Sequence, residues 1–97
     1  MRVEVSGEAA ALVAGEGGTL WVWASRPPMC CGGTPAVLRA STAPPADRSG
    51  FARIPADGVD VRFRPPGGRC PDVLQVDVHG RRHPRVEAYW DGCLIVM

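Results

Sequence analysis

The chain has 97 residues, of which 45% are hydrophobic and 22% charged, a composition that indicates an ordinary globular domain and excludes a disordered tail. Eleven arginines, with no lysine, stand against ten carboxylates, and the net charge of +1 excludes a strong overall field toward nucleic acid or an anionic membrane. A chain of this size buries on the order of two-thirds of its unfolded surface. We therefore expect residues 1–97 to form one domain with one core.

The longest apolar run, Ala9 to Ala14, is only six residues long and lies between Glu8 and Glu16. This is too short for a membrane span, and the first residues do not form a signal peptide. The sequence therefore predicts a cytoplasmic protein. Its four cysteines are then expected to be reduced thiols, used for packing, metal binding or redox chemistry.

The first part of the chain predicts a strand, a helix and a second strand. Val3 to Val5 favours a short strand, after which Ser6 can cap a helix that carries Glu8 in its first turn. A glycine-rich stretch ends this helix. Thr19 to Ala24 is rich in β-branched and aromatic residues and has apolar side chains on both faces. It predicts a central strand that is covered on both sides.

The remainder of the chain predicts a series of short strands. Pro55 to Gly58 is typical of a turn that joins antiparallel strands, and a second hairpin turns at His79 to Pro84. Gly92 is expected to mark a bulge before a last apolar segment. The fold class is therefore α+β, with a mostly antiparallel or mixed sheet and one short N-terminal helix. The predicted strands are Ala36–Ser41, Phe51–Ile54, Val59–Arg64, Leu74–Val78 and Val86–Trp90.

The adjacent cysteines Cys30 and Cys31 are the main candidate for a functional site in the sequence. They lie in a proline- and glycine-rich loop that can turn both sulfurs toward one point, whereas a regular strand would point them apart. Convergent thiolates are ligands for a soft metal ion or an iron–sulfur cluster. In the alternative interpretation, one thiol is buried in the core and the other is exposed.

The other two cysteines are weaker candidates. Cys93 stands beside Gly92, where it can turn toward a neighbouring loop as a third ligand or pack in the core. Cys70 lies between Arg69 and Pro71, and we assign it no role. None of the four cysteines has the C-x-x-C spacing of a zinc ribbon.

No catalytic motif stands out. His79 and His83 are expected in a turn, which excludes the helical two-histidine face of a zinc protease. The arginines in the same connection can hold a phosphate or an acidic partner, although a basic hairpin tip is usually a solvated loop. The tryptophans of the predicted strands are expected in the core, so we expect neither nucleic-acid binding nor an enzyme. These arginines are Arg81, Arg82 and Arg85, and the tryptophans are Trp21, Trp23 and Trp90.

The series Val-Glu-Val-Ser-Gly-Glu-Ala-Ala, Gly-Gly-Thr-Leu-Trp-Val-Trp and a glycine-bordered cysteine resembles the HesB/IscA-like iron–sulfur carriers. The resemblance implies a HesB-like β-sandwich with one packed helix and a role in carrying a cluster or iron. It also implies a homo-oligomer that joins cysteines of different chains, with cluster assembly or acceptor proteins as partners. Cys30 or Cys31 would match the first ligand of the family. The Cys-Gly-Cys tail of that family is replaced here by Cys93 alone.

The leading hypothesis is a non-enzymatic protein that binds iron, an iron–sulfur cluster or zinc through Cys30 and Cys31, with Cys93 as third ligand. The alternative is an interaction module whose cysteines only pack. It would bind a protein through the Thr42 to Gly50 loop or the arginine-rich hairpin. A further alternative is a redox switch that forms a strained Cys30–Cys31 disulfide.

Overall fold

The computed structural model describes residues 2–25, 37–56 and 58–93. These residues form seven strands and one α-helix, with a single 3-10 turn at Pro66–Gly68. The elements in chain order are β1 (Arg2–Val5), α1 (Gly7–Gly15), β2 (Thr19–Ser25), β3 (Val37–Ser41), β4 (Ala52–Ala56), β5 (Val59–Phe63), β6 (Val73–His79) and β7 (Arg85–Trp90).

The helix α1 begins where the sequence predicts it. The Ser6 Oγ accepts a hydrogen bond of 3.1 Å from the Ala9 amide, and it donates one of 3.0 Å to the Asp77 carboxylate on β6. One hydroxyl therefore both caps the helix and ties its first turn to a strand. At the other end, Gly18 has a φ of +85° and donates its amide to the Val13 carbonyl at 2.8 Å, which ends the helix.

The strands form two mixed sheets, so the predicted α+β class is confirmed. Sheet A has the order β1-β6-β7, with β1 parallel to β6 and β7 antiparallel to it. Sheet B has the order β3-β2-β5-β4, with β2 antiparallel to β3 and β4 antiparallel to β5, so the predicted hairpins β4–β5 and β6–β7 lie in sheets B and A respectively. A parallel pairing of β2 with β5 joins the β2–β3 and β4–β5 pairs into one sheet.

The core lies between the inner faces of the two sheets and the helix. Alternate residues of β5, Val59, Val61 and Phe63, are buried as their spacing predicts. The helix contributes Ala9 and Val13, which are fully buried. The remaining buried apolar residues of the strands are Leu20, Val22, Leu38, Leu74, Val76, Val86, Ala88 and Trp90.

Strand β2 differs from the prediction of a strand covered on both sides. It is central in sheet B, and Leu20 and Val22 are fully buried. Trp21 and Trp23, however, lie on the outer face of the sheet and are only half-buried. The prediction that these two tryptophans belong to the core is wrong, because a strand alternates its side chains and only one face of sheet B meets the helix and sheet A. Trp90 is buried, as predicted.

The expected bulge at Gly92 is also wrong. Asp91 and Gly92 both have positive φ, +48° and +87°, which are the backbone angles of a tight type I′ turn. The Trp90 amide donates to the Cys93 carbonyl at 2.6 Å, and the Cys93 amide donates to the Trp90 carbonyl at 2.9 Å. The chain therefore reverses direction after β7.

The long connection between β3 and β4 is held by one side chain. The Arg64 guanidinium donates to the carbonyls of Ser49 at 2.9 Å and Asp47 at 2.6 Å. The same guanidinium lies 4.4 Å from the centre of the Phe51 ring. The second half of the connection is thus fastened to the end of β5.

Within the described parts of the chain, no helix combines the length and the apolar character that crossing a bilayer requires.

Replacing the fully buried Leu74 by alanine tests the position of the core. We expect Leu74→Ala to lower the free energy of unfolding by about 3 kcal/mol, because it removes apolar contacts and leaves a cavity. Urea denaturation followed by tryptophan fluorescence measures the change. The control is Leu12→Ala on the half-buried side of the helix, for which a loss less than half as large is expected. Equal losses would contradict the described core.

Candidate thiol site

Cys30 and Cys31 lie outside the described residues, so their predicted convergence stays a prediction. The structure gives the points at which their segment is attached. Ser25 at the end of β2 is paired with Val37 at the start of β3, and residues 26–36 connect the two. The cysteine pair therefore belongs to a connection whose two ends are adjacent in one antiparallel ladder.

Several other segments leave the sheets at this same end of the fold. Because β2 and β5 are parallel, with Val22 opposite Phe63, their carboxyl ends share one edge of sheet B. In sheet A, β6 begins and β7 ends side by side, with Leu74 opposite Trp90. The rings of Phe63 and Trp90 are 6.4 Å apart and bring the two edges together. We call the region where β2 and β5 end, β6 begins and β7 ends the cysteine end.

The two described cysteines both belong to the cysteine end. Cys70 lies in the connection from β5 to β6, next to Arg69, whose guanidinium lies 6.0 Å from the centre of the Trp90 ring. Cys93 follows β7 and is bonded through its backbone to Trp90. Both are free, and both are exposed. Cys93 is thus not packed in the core, and both residues have sulfurs that a ligand or reagent can reach.

Sequence reasoning gave Cys70 no role, and the structure brings it to the same end as the attachment of the cysteine pair. Placing Cys70 at this end requires knowledge of the parallel pairing of β2 with β5, which joins residues about 40 positions apart in the sequence. Hydrophobic alternation predicts that each strand exists, but it does not predict which strands are neighbours. No local signal in the sequence could have identified Cys70.

Within residues 2–25, 37–56 and 58–93, no three side chains of histidine, cysteine, aspartate or glutamate are grouped as metal ligands. The predicted metal ligands Cys30 and Cys31 lie outside these residues.

The histidines lie at the opposite end of the fold. Strand β6 runs seven residues from Val73 at the cysteine end to His79, a rise of about 20 Å. His79 and His83 are both exposed in the β6–β7 connection, together with Arg81 and Arg82. The distance argues against a dyad of the kind used in nucleophilic catalysis between either histidine and Cys70 or Cys93.

Backbone and side-chain bonds hold the sheet A side of the cysteine end together. The Asp91 carboxylate accepts a hydrogen bond of 2.8 Å from the Val73 amide, and the Asp91 amide donates one of 3.1 Å to the Val73 carbonyl. The turn after β7 is thereby fastened to the start of β6. The position of Cys93 relative to sheet A depends on this pair of bonds.

A second polar cluster lies on the outer face of sheet B. The Asp60 carboxylate accepts hydrogen bonds of 3.1 Å from both Arg53 and Arg62. Desolvation alone would raise the pKa of Asp60, but the hydrogen bond from Arg62 and the charges of the two arginines outweigh it. The net result is a pKa below the ordinary value of 3.8.

One family model matches the chain, over residues 1–81, and it describes the CC/Se motif containing family. The match covers more than half of the 97 residues, so the chain belongs to this family. No curated protein matches the chain. Cys30 and Cys31 are the only adjacent cysteines in the sequence, and they and Cys70 fall inside the matched residues, whereas Cys93 falls outside them.

The resemblance to the HesB/IscA-like carriers is wrong, because the family model assigns the chain to the CC/Se motif containing family instead. Apart from the glycine-bordered cysteine, the residues that suggested it encode a strand, a serine-capped helix and a second strand, β1, α1 and β2. Such local patterns recur in unrelated folds, since they reflect capping and strand propensity rather than descent. The predicted α+β class is confirmed, whereas the predicted membership of the HesB family is wrong.

The cluster of Asp60 with Arg53 and Arg62 on sheet B allows a test by pH. A carboxylate with a depressed folded-state pKa stabilises the protein above its unfolded pKa, and this contribution is lost as the pH falls through the folded value. We expect Asp60→Asn to be less stable than the natural protein at neutral pH, with a difference that shrinks as the pH falls below the ordinary 3.8.

Urea denaturation at a series of pH values measures this difference. The matched control is Asp72→Asn, because Asp72 is exposed and has no ion-pair partner among the described residues. The control should follow the natural protein throughout. If the free energy of unfolding of Asp60→Asn depended on pH as that of the natural protein does, the pairing of Asp60 with Arg53 and Arg62 would not stabilise the fold.

Proposed function

We propose that this chain is a non-enzymatic thiol protein that binds a soft metal ion, iron or zinc, through the thiolates of Cys30 and Cys31. The observation that carries the proposal is membership of a family whose description names a CC motif, together with the single CC pair in the sequence. Thiolates are the preferred ligands of such ions, with metal–sulfur distances near 2.3 Å for zinc.

Two neighbouring thiolates do not complete the coordination of iron or zinc, which ordinarily have four ligands. The topology supports two sources for the others. Cys70 and Cys93 are exposed and belong to segments that leave the sheets at the cysteine end. Cys70 is the stronger candidate because it falls inside the residues matched by the family, while Cys93 is the third ligand that the sequence predicts.

An iron–sulfur cluster is the alternative occupant of the same thiols. Such clusters are commonly held by four cysteine thiolates, a number that one chain can supply from its cysteine end or two chains from their CC pairs. The second arrangement requires a homo-oligomer and a partner protein that delivers or accepts the cluster. Because the resemblance to the HesB/IscA-like carriers is wrong, the binding of a single metal ion needs fewer assumptions than the binding of an iron–sulfur cluster.

A reversible Cys30–Cys31 disulfide is a second candidate function, and the wording of the family description favours it. The description joins the double cysteine to Se, the symbol of selenium. Sulfur and selenium are both soft donors and both undergo reversible oxidation. A disulfide between neighbours would be strained, because a trans peptide holds the two Cα atoms about 3.8 Å apart, below the usual minimum of about 4.4 Å. It would therefore be reduced easily.

Metal analysis of anaerobically purified protein tests the leading proposal. We expect the natural protein to bind iron or zinc, and the Cys30→Ser, Cys31→Ser double variant to contain neither, because it lacks both principal donors. Elemental analysis gives the metal, and visible absorption separates an iron–sulfur cluster from colourless zinc. A metal-free natural protein that takes up neither ion on reconstitution would contradict the proposal.

The single variants Cys70→Ser and Cys93→Ser identify the remaining donors. The variant that removes a ligand should lose metal more readily to a chelator, whereas the other should behave as the natural protein does. Each replaces one exposed sulfur by an oxygen of similar size, so neither is expected to alter the fold. Identical chelator sensitivity in both variants and in the natural protein would restrict the site to the CC pair.

Oxidised glutathione tests the redox alternative on metal-free protein. Two protein thiols would form one disulfide while oxidised glutathione is reduced to two glutathione molecules. We expect mass spectrometry of the digested protein to find a Cys30–Cys31 disulfide in the natural protein, whereas Cys30 of Cys31→Ser can form only a mixed disulfide with glutathione. A natural protein in which these two cysteines stay reduced, or carry only glutathione, would remove this alternative.

A further inference from the structure

The outer face of sheet B carries three aromatic side chains that the core does not use. Trp21 and Trp23 extend from β2, and Phe51 lies against both, with ring centres 5.1 Å and 6.5 Å away. Both contacts are edge-to-face, at interplanar angles of 88° and 79°. The three residues are half-buried and form one apolar patch on the solvent side of the sheet, which we call the aromatic face.

Arg62 of β5, and Arg64 directly after this strand, cover part of the aromatic face. Arg62 lies 5.8 Å from the centre of the Trp21 ring, and Arg64 lies 4.4 Å from that of Phe51. The hydrogen bonds of Arg62 go to Asp60, and those of Arg64 go to the carbonyls of Asp47 and Ser49. Both guanidiniums also form ion pairs, Arg62 with Asp60 at 3.1 Å and Arg64 with Asp47 at 3.7 Å.

Two further arginines at the border of the face form no ion pair within the described residues, although Glu87 lines a groove with Arg39 and Glu16 lines one with Arg48. Arg39 is directly opposite Trp23 in the β2–β3 ladder, and Arg48 borders a groove of about 450 Å³ whose wall includes Trp21. Both are exposed, and neither has an ion-pair partner in the described parts of the chain. The aromatic face thus combines an apolar centre with positive charge at its edge.

This arrangement fits an acidic protein surface better than a nucleic acid. Stacking of bases requires open ring faces, and here guanidiniums already lie over Trp21 and Phe51. Protein interfaces, in contrast, favour tryptophan, phenylalanine and arginine at the centre of the contact. Arg39 and Arg48, which are exposed and form no ion pair within the described residues, favour carboxylates at the edge of the partner surface.

We propose that the aromatic face is the docking surface for a protein partner that presents an apolar side chain surrounded by aspartate or glutamate. The face is continuous with Ser25 and Val37, which lie on the same side of the sheet as Trp23 and Arg39 and begin and end the cysteine-bearing connection. A docked partner would lie beside that attachment. Exchange of metal or electrons with the partner rests on the proposed function, whereas docking does not.

Selection from a phage-displayed library of random peptides, with the immobilised natural protein as bait, tests the docking surface. We expect enrichment of peptides that combine acidic residues with a large apolar residue. A synthetic copy of the most enriched peptide should bind at least tenfold more weakly to the Arg39→Glu, Arg48→Glu variant, measured by fluorescence anisotropy. Both arginines are exposed, so this variant should fold normally.

The matched control is Arg81→Glu, Arg82→Glu, which changes the charge equally in the β6–β7 connection of sheet A, outside the aromatic face, and should bind the peptide as the natural protein does. Loss of binding in this control, or no loss in Arg39→Glu, Arg48→Glu, would overturn the proposal. Oligothymidylate that binds the natural protein and is released by the same substitutions would assign the face to nucleic acid instead.

The Cys30→Ser, Cys31→Ser variant separates the two proposals. Docking predicts that it binds the peptide normally even where it contains no metal. Failure of the metal test with retained peptide binding would therefore remove the proposed function and leave the docking surface.

Discussion

The parallel pairing of β2 with β5 is the constraint on which the arrangement of this molecule depends. It joins two antiparallel hairpins into sheet B and makes β2 and β5 end at the same edge. The contact between Phe63 and Trp90 then brings this edge against the end of β7 in sheet A. Without that pairing, the connection with the CC pair and the segments with Cys70 and Cys93 would have no common end. The common end of these segments is thus a consequence of strand direction.

Much of the fold could be predicted from the sequence because its signals are local. Ser6 and the glycines after the helix determine where α1 begins and ends, and the alternation of Val59, Val61 and Phe63 identifies the buried face of β5. Pairing between distant strands could not be predicted, since it depends on which apolar faces fit together in three dimensions. The two outer tryptophans were misassigned for the same reason: an aromatic residue in a strand does not indicate which face the core will cover.

The candidate site, like the fold, could be predicted from the sequence only where the signal is local. The CC pair was recognisable from two adjacent letters, and the family match independently includes it. Cys70 became relevant only through topology, and the two histidines became less relevant because β6 carries them away from the cysteine end. A resemblance built on a strand, a capped helix, a second strand and a glycine-bordered cysteine led to the wrong family, because local features of this kind recur in unrelated folds.

The fastening of the β3–β4 connection by Arg64 divides that connection into two halves with different tolerance to change in length. Its guanidinium requires the carbonyls of Asp47 and Ser49 and the ring of Phe51 to keep a fixed spacing along the chain. Extra residues placed after Asp47 would pull these groups apart and uncover an aromatic ring. Extra residues placed before it, near Pro44, would leave all three contacts intact. Variation in length among related chains should therefore be confined to the first half of this loop.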